Sequence, residues 1–204
     1  MWGNPRPLFG CSGIVCCMST TERRPRRNDP ERRDRIIDTC LDVIAEVGVA
    51  GASYRKIAAA ADVPLGSMTY HFVNMDNLLE EAFTRFAEEV AGRFERRMRG
   101  ATDAESACEA VIAIIRDDVF GDQRDLVLTH ELYTLSARNE TFRRITSTWM
   151  ERSRTALELY FEPEAARTID ALIEGLTIHG ALDVENRDFD EVDHAVRKII
   201  AALT

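Results

Sequence analysis

The chain has 204 residues, of which 45% are hydrophobic and 30% charged, the balance of a globule long enough for one or two domains around a real core. Its formal net charge of -9 and pI near 5.0 argue against a protein that coats nucleic acid or anionic membrane nonspecifically. The charge is unevenly spread, however: residues 1–60 carry ten basic against seven acidic side chains, so a basic amino-terminal part precedes an acidic body.

The first 29 residues are expected to form a disordered leader. The opening "MWGNPRPLFGCSGIVCCMST" imitates a secretory signal, with Arg6 before an apolar run and "LFGC" ending at Cys11. It is short, lacks a convincing cleavage context, and has Met18 just downstream as an alternative start. Cys11, Cys16, Cys17, Cys40 and Cys108 are odd in number and three of them are crowded, which suits a reducing cytoplasm better than a disulfide framework. No histidine or second cysteine pair completes a metal site near the first three, and neither metal nor cofactor is expected. No stretch reaches the roughly 18 apolar residues of a membrane span, so no membrane partner is expected.

After the arginine-rich "TERRPRRNDPERR", apolar residues at Ile36/Ile37, Cys40/Leu41, Ile44 and Val47 have the spacing of an amphipathic helix that stops at Gly48. Ser53 is a good N-cap for "YRKIAAAA", and Asp62 and Val63 make a tight connection to the segment "PLGSMTYHF". Asn74 can then cap a long helix ending at Gly100. Further helices are expected at about 104–118, 123–138, 140–161, 163–184 and 189–203, with Pro163 in a first turn that tolerates it. No run of alternating β-branched residues suggests a sheet. The chain reads as all-α, with a three-helix helix-turn-helix domain at 30–78 and a helical body at 79–204.

Two short helices joined by a turn of few residues have the plan of a helix-turn-helix. In the second, Met68 and Phe72 fall on one side of the helical wheel, while Gly66, Ser67, Thr69 and Tyr70 spread over the other. The outward set is small, hydroxylated or aromatic and carries no charge. A helix enters a major groove only when short side chains let its backbone come close, and hydroxyls can bond to base edges or phosphates there. Pro64 is harmless because the amide it lacks would be unpaired in the first turn anyway.

The stretch "SYRKIAAAADVPLGSMTYHFVNMDNLL", with the helix before it, resembles the amino-terminal domain of TetR-type transcriptional regulators. Ser53, Arg55, Ile57, Ala58, Ala61, Val63, Gly66, His71, Phe72 and Leu78 match the family pattern in place or conservatively. Pro64, Thr69 and Met75 depart from it, and the last two replace a tyrosine and a lysine that family members direct at phosphate. The resemblance implies a homodimeric, ligand-responsive regulator, usually a repressor, that binds a palindromic operator in double-stranded DNA. Pro64, Leu65, Gly66, Ser67, Thr69, Tyr70 and His71 would lie in the major groove, with Ser53, Tyr54, Arg55 and Lys56 on the flanking backbone or an outer base. Arg55 is the candidate for guanine readout, since a guanidinium reaches O6 and N7 together. His71, near the Met68 side, is expected to be structural or to bond one phosphate.

The resemblance also implies dimerisation through the last two helices, with Ile169, Leu172, Ile173, Leu176, Val192, Val196, Ile199 and Ile200 as interface candidates. Packing of these faces within one chain is the alternative. A dimer would address two half-sites about 34–36 Å apart. An effector cavity among the middle helices would draw on Phe94, Arg116, Phe120, His130, Tyr133, Phe142, Trp149 and Met150, with Arg116 or His130 as polar anchors for a small hydrophobic or aromatic molecule. An enzyme is disfavoured: His130–Glu131 and His179–Asp183 have no nucleophile beside them and no His-Glu-x-x-His spacing. The remaining rival is a helical protein-interaction module without sequence-specific DNA binding.

Overall fold

The computed structural model describes residues 29–119, 123–184 and 189–203, with side chains for all of these except 117–119 and 189. The expected leader up to residue 28, including Met18 and the first three cysteines, lies outside the described residues, as does Phe120. Residues Glu31–Thr204 form one compact unit. All regular structure among the described residues is helical: α1 (Arg32–Gly51), α2 (Tyr54–Ala60), α3 (Leu65–His71), α4 (Met75–Arg99), α5 (Ala104–Ala113), α6 (Gln123–Ser136), α7 (Glu140–Leu157), α8 (Pro163–Leu182) and α9 (Phe189–Leu203). A π-helical turn, Ile114–Val119, continues α5.

Local chemistry sets most of the boundaries. Gly48 takes φ +70°, a left-handed conformation that breaks the helical path of α1 at the expected place. Ser53 caps α2 by accepting from the Lys56 amide, Asn74 caps α4 by accepting from the Asn77 amide, and Pro163 occupies the first turn of α8. Between α2 and α3, Asp62 adopts φ +50°, while Val63 N–H donates to Ala58 O (3.0 Å) and Asp62 N–H to Ala59 O (3.3 Å). That pair of bonds is a Schellman motif with aspartate where glycine is usual.

Two buried clusters divide the core. One joins Ile36, Ile37, Cys40 and Ile44 of α1 to Ile57, Met68 and Phe72 of the helix-turn-helix, and extends to Phe83 and Phe86 of α4, Leu128 and Leu132 of α6 and Phe142 of α7. The other gathers Phe94, Met98, Val111, Ile115, Leu157, Ile169, Val196 and Ile200 in the distal body. The expected domain boundary at residue 78 falls inside α4, which runs unbroken past it. Arg85 clamps α1 from α4 by bonding Asp38 (2.7 Å) and Asp34, and Arg152 of α7 bonds Glu95 of α4 (2.6 Å).

Candidate nucleic-acid interface and effector cavity

Met68 of α3 and Phe72, the residue that ends it, are fully enclosed and join the core shared with α1 and α2, as their spacing predicts. Gly66 has open space around its Cα, Thr69 is exposed with its hydroxyl donating back to Gly66 O (3.3 Å), and Tyr70 is 83% exposed. Leu65 is half exposed and Pro64 exposed. Ser67 differs from its expected outward place: it is only 8% exposed and belongs to the inner side of this seven-residue helix. His71 is partly buried, its ring edge-on to Tyr70 at 4.8 Å. Burial and the neighbouring Arg32 and Arg33 hold its pKa below the usual histidine value, which favours the neutral ring.

On α2 the four candidate residues separate. Arg55 is exposed and makes no hydrogen bond or ion pair among the described residues. Lys56 is exposed and its ammonium donates to Gly51 O (2.9 Å). Ser53 has its hydroxyl engaged as the cap. Tyr54 turns inward: its hydroxyl is enclosed without a hydrogen-bond partner among the described residues, and burial, then Cys40, push its pKa up. The enclosed hydroxyl is therefore turned away from the outer surface on which Tyr54 is expected to meet the DNA backbone or an outer base. Val73, just after α3, is 90% exposed.

A cavity of about 100 Å³ lies among α4, α6, α7 and α8. Of the expected lining residues, Phe94, His130 and Trp149 border it. Tyr133 stands behind them, stacked on Trp149 at 6.1 Å. Phe142 does not line it, because it packs edge-on to Phe83 (6.1 Å) in the amino-terminal core, and Arg116 is exposed on the π-helical turn. Met150 is absent from the wall. The wall residues that sequence reasoning missed are mostly polar: Arg93, Asp125, Asp170 and Glu174, with Thr129, Ser153 and Thr177 between them.

The interface candidates also divide. Ile169, Ile173, Val196 and Ile200 are buried inside the chain's own distal core, so intrachain packing accounts for them. Leu172, Leu176 and Val192 are partly buried against that core, and Ile199 is 37% exposed. An outer stripe remains at Ala171, Gly175 and Leu182 of α8 and Ala195, Ile199 and Ala202 of α9.

The helix α6 touches both regions. Leu128 and Leu132 enter the core shared with α1, and Arg124 bonds Asp42 of α1 (3.0 Å). A methyl group added at Gly48 would sit 2.6 Å from Glu131 Oε1. One turn away on the same helix, Asp125, Leu126, Thr129 and His130 border the cavity.

A family model described as bacterial regulatory proteins, tetR family, matches residues 36–82, spanning α1 to the start of α4. The solved structure of a transcriptional regulator from Streptomyces coelicolor A3(2) is 48% identical, covers 84% of this chain and 99% of its own, and superposes with a TM-score of 0.78. The multidrug binding protein EbrR, solved in complex with ethidium, is 30% identical over 84% of this chain and 99% of its own, with a TM-score of 0.70. Among curated relatives, the HTH-type transcriptional regulator BetI of Burkholderia mallei is 29% identical over 166 residues, 77% of this chain and 85% of that protein. No helix among the described residues is long and apolar enough to cross a membrane. The chain belongs to the TetR family and is a helix-turn-helix transcriptional regulator.

Proposed function

We propose that the protein is a cytoplasmic, homodimeric repressor that sits on a palindromic operator and leaves it when a small molecule fills the cavity between α4, α6, α7 and α8. The observation that carries this reading is α6, which borders the cavity with one face and packs on α1 with the other. A ligand that displaces Leu126, Thr129 or His130 moves the helix that carries Arg124 and Leu128, and so tilts α1 and the helix-turn-helix fixed to it. That EbrR was solved with ethidium, proflavin and malachite green supports treating the corresponding cavity as a ligand site.

On the operator, Leu65, Gly66, Thr69 and Tyr70 enter the major groove, Arg55 reads a guanine, and Ser53, Lys56, Pro64 and His71 lie along the backbone. Ser67 supports this surface from within. With Thr69 in the place of a phosphate-directed tyrosine, Tyr70 and the amino-terminal arginines supply the compensating contacts. Dimerisation uses the outer stripe of α8 and α9, where Gly175 with its open surroundings allows close helix crossing and Leu182 and Ile199 supply the apolar contact.

The test is to footprint the purified protein on the DNA upstream of its own gene and then add candidate effectors. Protection of a palindrome, lost on effector addition, is the expected result. Binding that weakens with salt equally on every sequence would instead favour a nonspecific or protein-interaction role.

A further inference from the structure

The long helices α4 and α7 lie side by side and run in the same direction, since Phe83 meets Phe142, Phe86 meets Trp149 and Glu95 meets Arg152 in the same order along both. Their N-caps, Asn74 and Asn139, therefore lie at one end of the molecule, the end at which α3 leads into α4. A crevice at this end has Val73, Asn74 and Asn77 on one wall and Asn139 and Thr141 on the other. The loop between α6 and α7 is thus a neighbour of the segment that follows α3, although the two are far apart in the chain.

That segment is placed for phosphate but poorly equipped to hold it. With seven residues α3 is about 10 Å long, close to the roughly 12 Å width of a major groove, so the residues just beyond its end meet the strand that borders the groove. Val73, Asn74 and Asp76 are exposed there. Yet Val73, Asn74, Met75, Asp76 and Asn77 include an acid and no cation.

The loop across the crevice carries the missing charge. Arg143 donates to Ser136 O (3.2 Å) and Ala137 O (3.4 Å) at the end of α6, and Asn139 accepts from the Thr141 amide (2.9 Å), so the turn is tied down on both sides of Arg138. Arg144 pairs with Glu140 (2.6 Å). Arg138 is exposed, and its guanidinium makes no hydrogen bond or ion pair among the described residues. Asp76 and Glu80, also on the crevice wall, repel a polyanion, and a free guanidinium one residue from that wall offsets the repulsion.

We infer that the α6–α7 loop is a second DNA-binding element, in which Arg138 of the helical body bonds a backbone phosphate at the groove edge beside the end of α3. The contact positions the protein and carries no base preference. It rests on the reading of α3 as the helix that enters the groove, and extends the interface from the helix-turn-helix to the body. Arg138 follows the end of α6 by two residues, so a shift of that helix carries the contact with it.

The test uses the full chain and the upstream duplex that it footprints, with affinity read by fluorescence anisotropy over a range of salt. Arg138→Ala should weaken binding about fivefold, by the same factor on every single-base variant of the duplex, and lower the salt slope by about one per subunit. Its thermal transition should match the parent's. Arg138→Lys should keep most of the affinity, since a phosphate is held by charge as well as by a planar fork. Arg144→Ala, which removes the same charge from a paired guanidinium nearby, should cost no more than about twofold. Single methylphosphonates, which lack the phosphate charge, should reveal one position per half-site at which the parent loses affinity and Arg138→Ala does not. Parent-like affinity and salt slope in Arg138→Ala, an equal loss in Arg144→Ala, or a loss confined to one base pair would each overturn the inference and leave the operator reading standing. A parent chain that protects no upstream duplex would remove the operator reading, and this contact with it.

Discussion

The side chains that hold α3, Met68 within it and Phe72 at its end, are wholly buried, while Gly66, Thr69 and Tyr70 are left to solvent. Around the cavity the arrangement is inverted: α8 turns Asp170 and Glu174 inward and leaves Ala171, Gly175 and Leu182 outside. A binding surface for a large polyanion is made by keeping apolar anchors underneath and small polar groups on top. A binding site for a small molecule is made by keeping polar groups underneath at an energetic cost. The two regions differ in where each keeps its polar groups, and that difference can be tested residue by residue.

The largest effect is expected at the anchors. Phe72→Ala should destabilise the protein by about 3–5 kcal/mol, the range for emptying a buried aromatic site. Tyr70→Ala, on the outer side of the same helix, should stay within about 0.5 kcal/mol of the parent and instead weaken operator binding. Urea denaturation followed by circular dichroism separates the two, and a large stability loss at Tyr70 would break the division between anchor and reading face.

Arg55 sharpens the contrast in a second way. Arg85 pairs with Asp38, Arg152 with Glu95 and Arg197 with Glu109, whereas Arg55 is exposed and makes no hydrogen bond or ion pair among the described residues. Arg55→Ala should cost about 1–3 kcal/mol of operator affinity, concentrated at one base position. Equal weakening on all sequences, seen by titrating a set of single-base operator variants, would make Arg55 a phosphate contact.

At the cavity the sign is reversed, because removing a charge should stabilise. Asp170 has a folded-state pKa of about 6, above the ordinary carboxylate value, so the native state binds its proton more tightly than the unfolded chain does. Its ionisation therefore destabilises the fold progressively as pH rises, fully above pH 7. Asp170→Asn should gain about 1–2 kcal/mol at pH 8 after allowance for solvent screening and for the lost Arg154 contact, and almost nothing at pH 4. Melting temperatures across that range provide the check, and a variant less stable at pH 8 would mean that the Arg154 pair outweighs burial.

The parts of the fold legible in the sequence are those governed by chemistry within one turn of chain. Ser53, Asn74 and Pro163 mark helix starts and Gly48 a stop, because capping and left-handed geometry need no distant partner. The buried pair Met68 and Phe72 follows from i, i+4 spacing alone. Ser67 and Tyr54 were misplaced because a helix of seven residues is covered on several sides by its neighbours, which a wheel does not represent. Phe142 and Ile169 show the same limit at longer range: both are apolar positions on amphipathic helices, and only tertiary packing decides which core each enters. Asp170 and Glu174 carried a readable signal, two acids at i, i+4 beside Ile173 and Ile178 in "TIDALIEGLTIHG". A search for apolar periodicity discards that signal.

The smallest expected effect concerns the turn itself. Asp62 holds φ +50° in the Schellman motif that sets α3 relative to α2, a conformation that is unfavourable for any residue with a Cβ. Asp62→Gly removes that strain but adds freedom to the unfolded chain, so the net gain should be about 0.5 kcal/mol, seen as a small rise in the urea midpoint. A loss would mean that contacts of the Asp62 side chain outweigh the backbone strain. Operator affinity supplies the more informative reading, because glycine permits a wider range of angles at this turn than aspartate. A stabilised variant with weakened operator binding would show that the strained residue fixes the angle at which α3 meets the groove, which places part of the reading surface's function in a residue that never touches DNA.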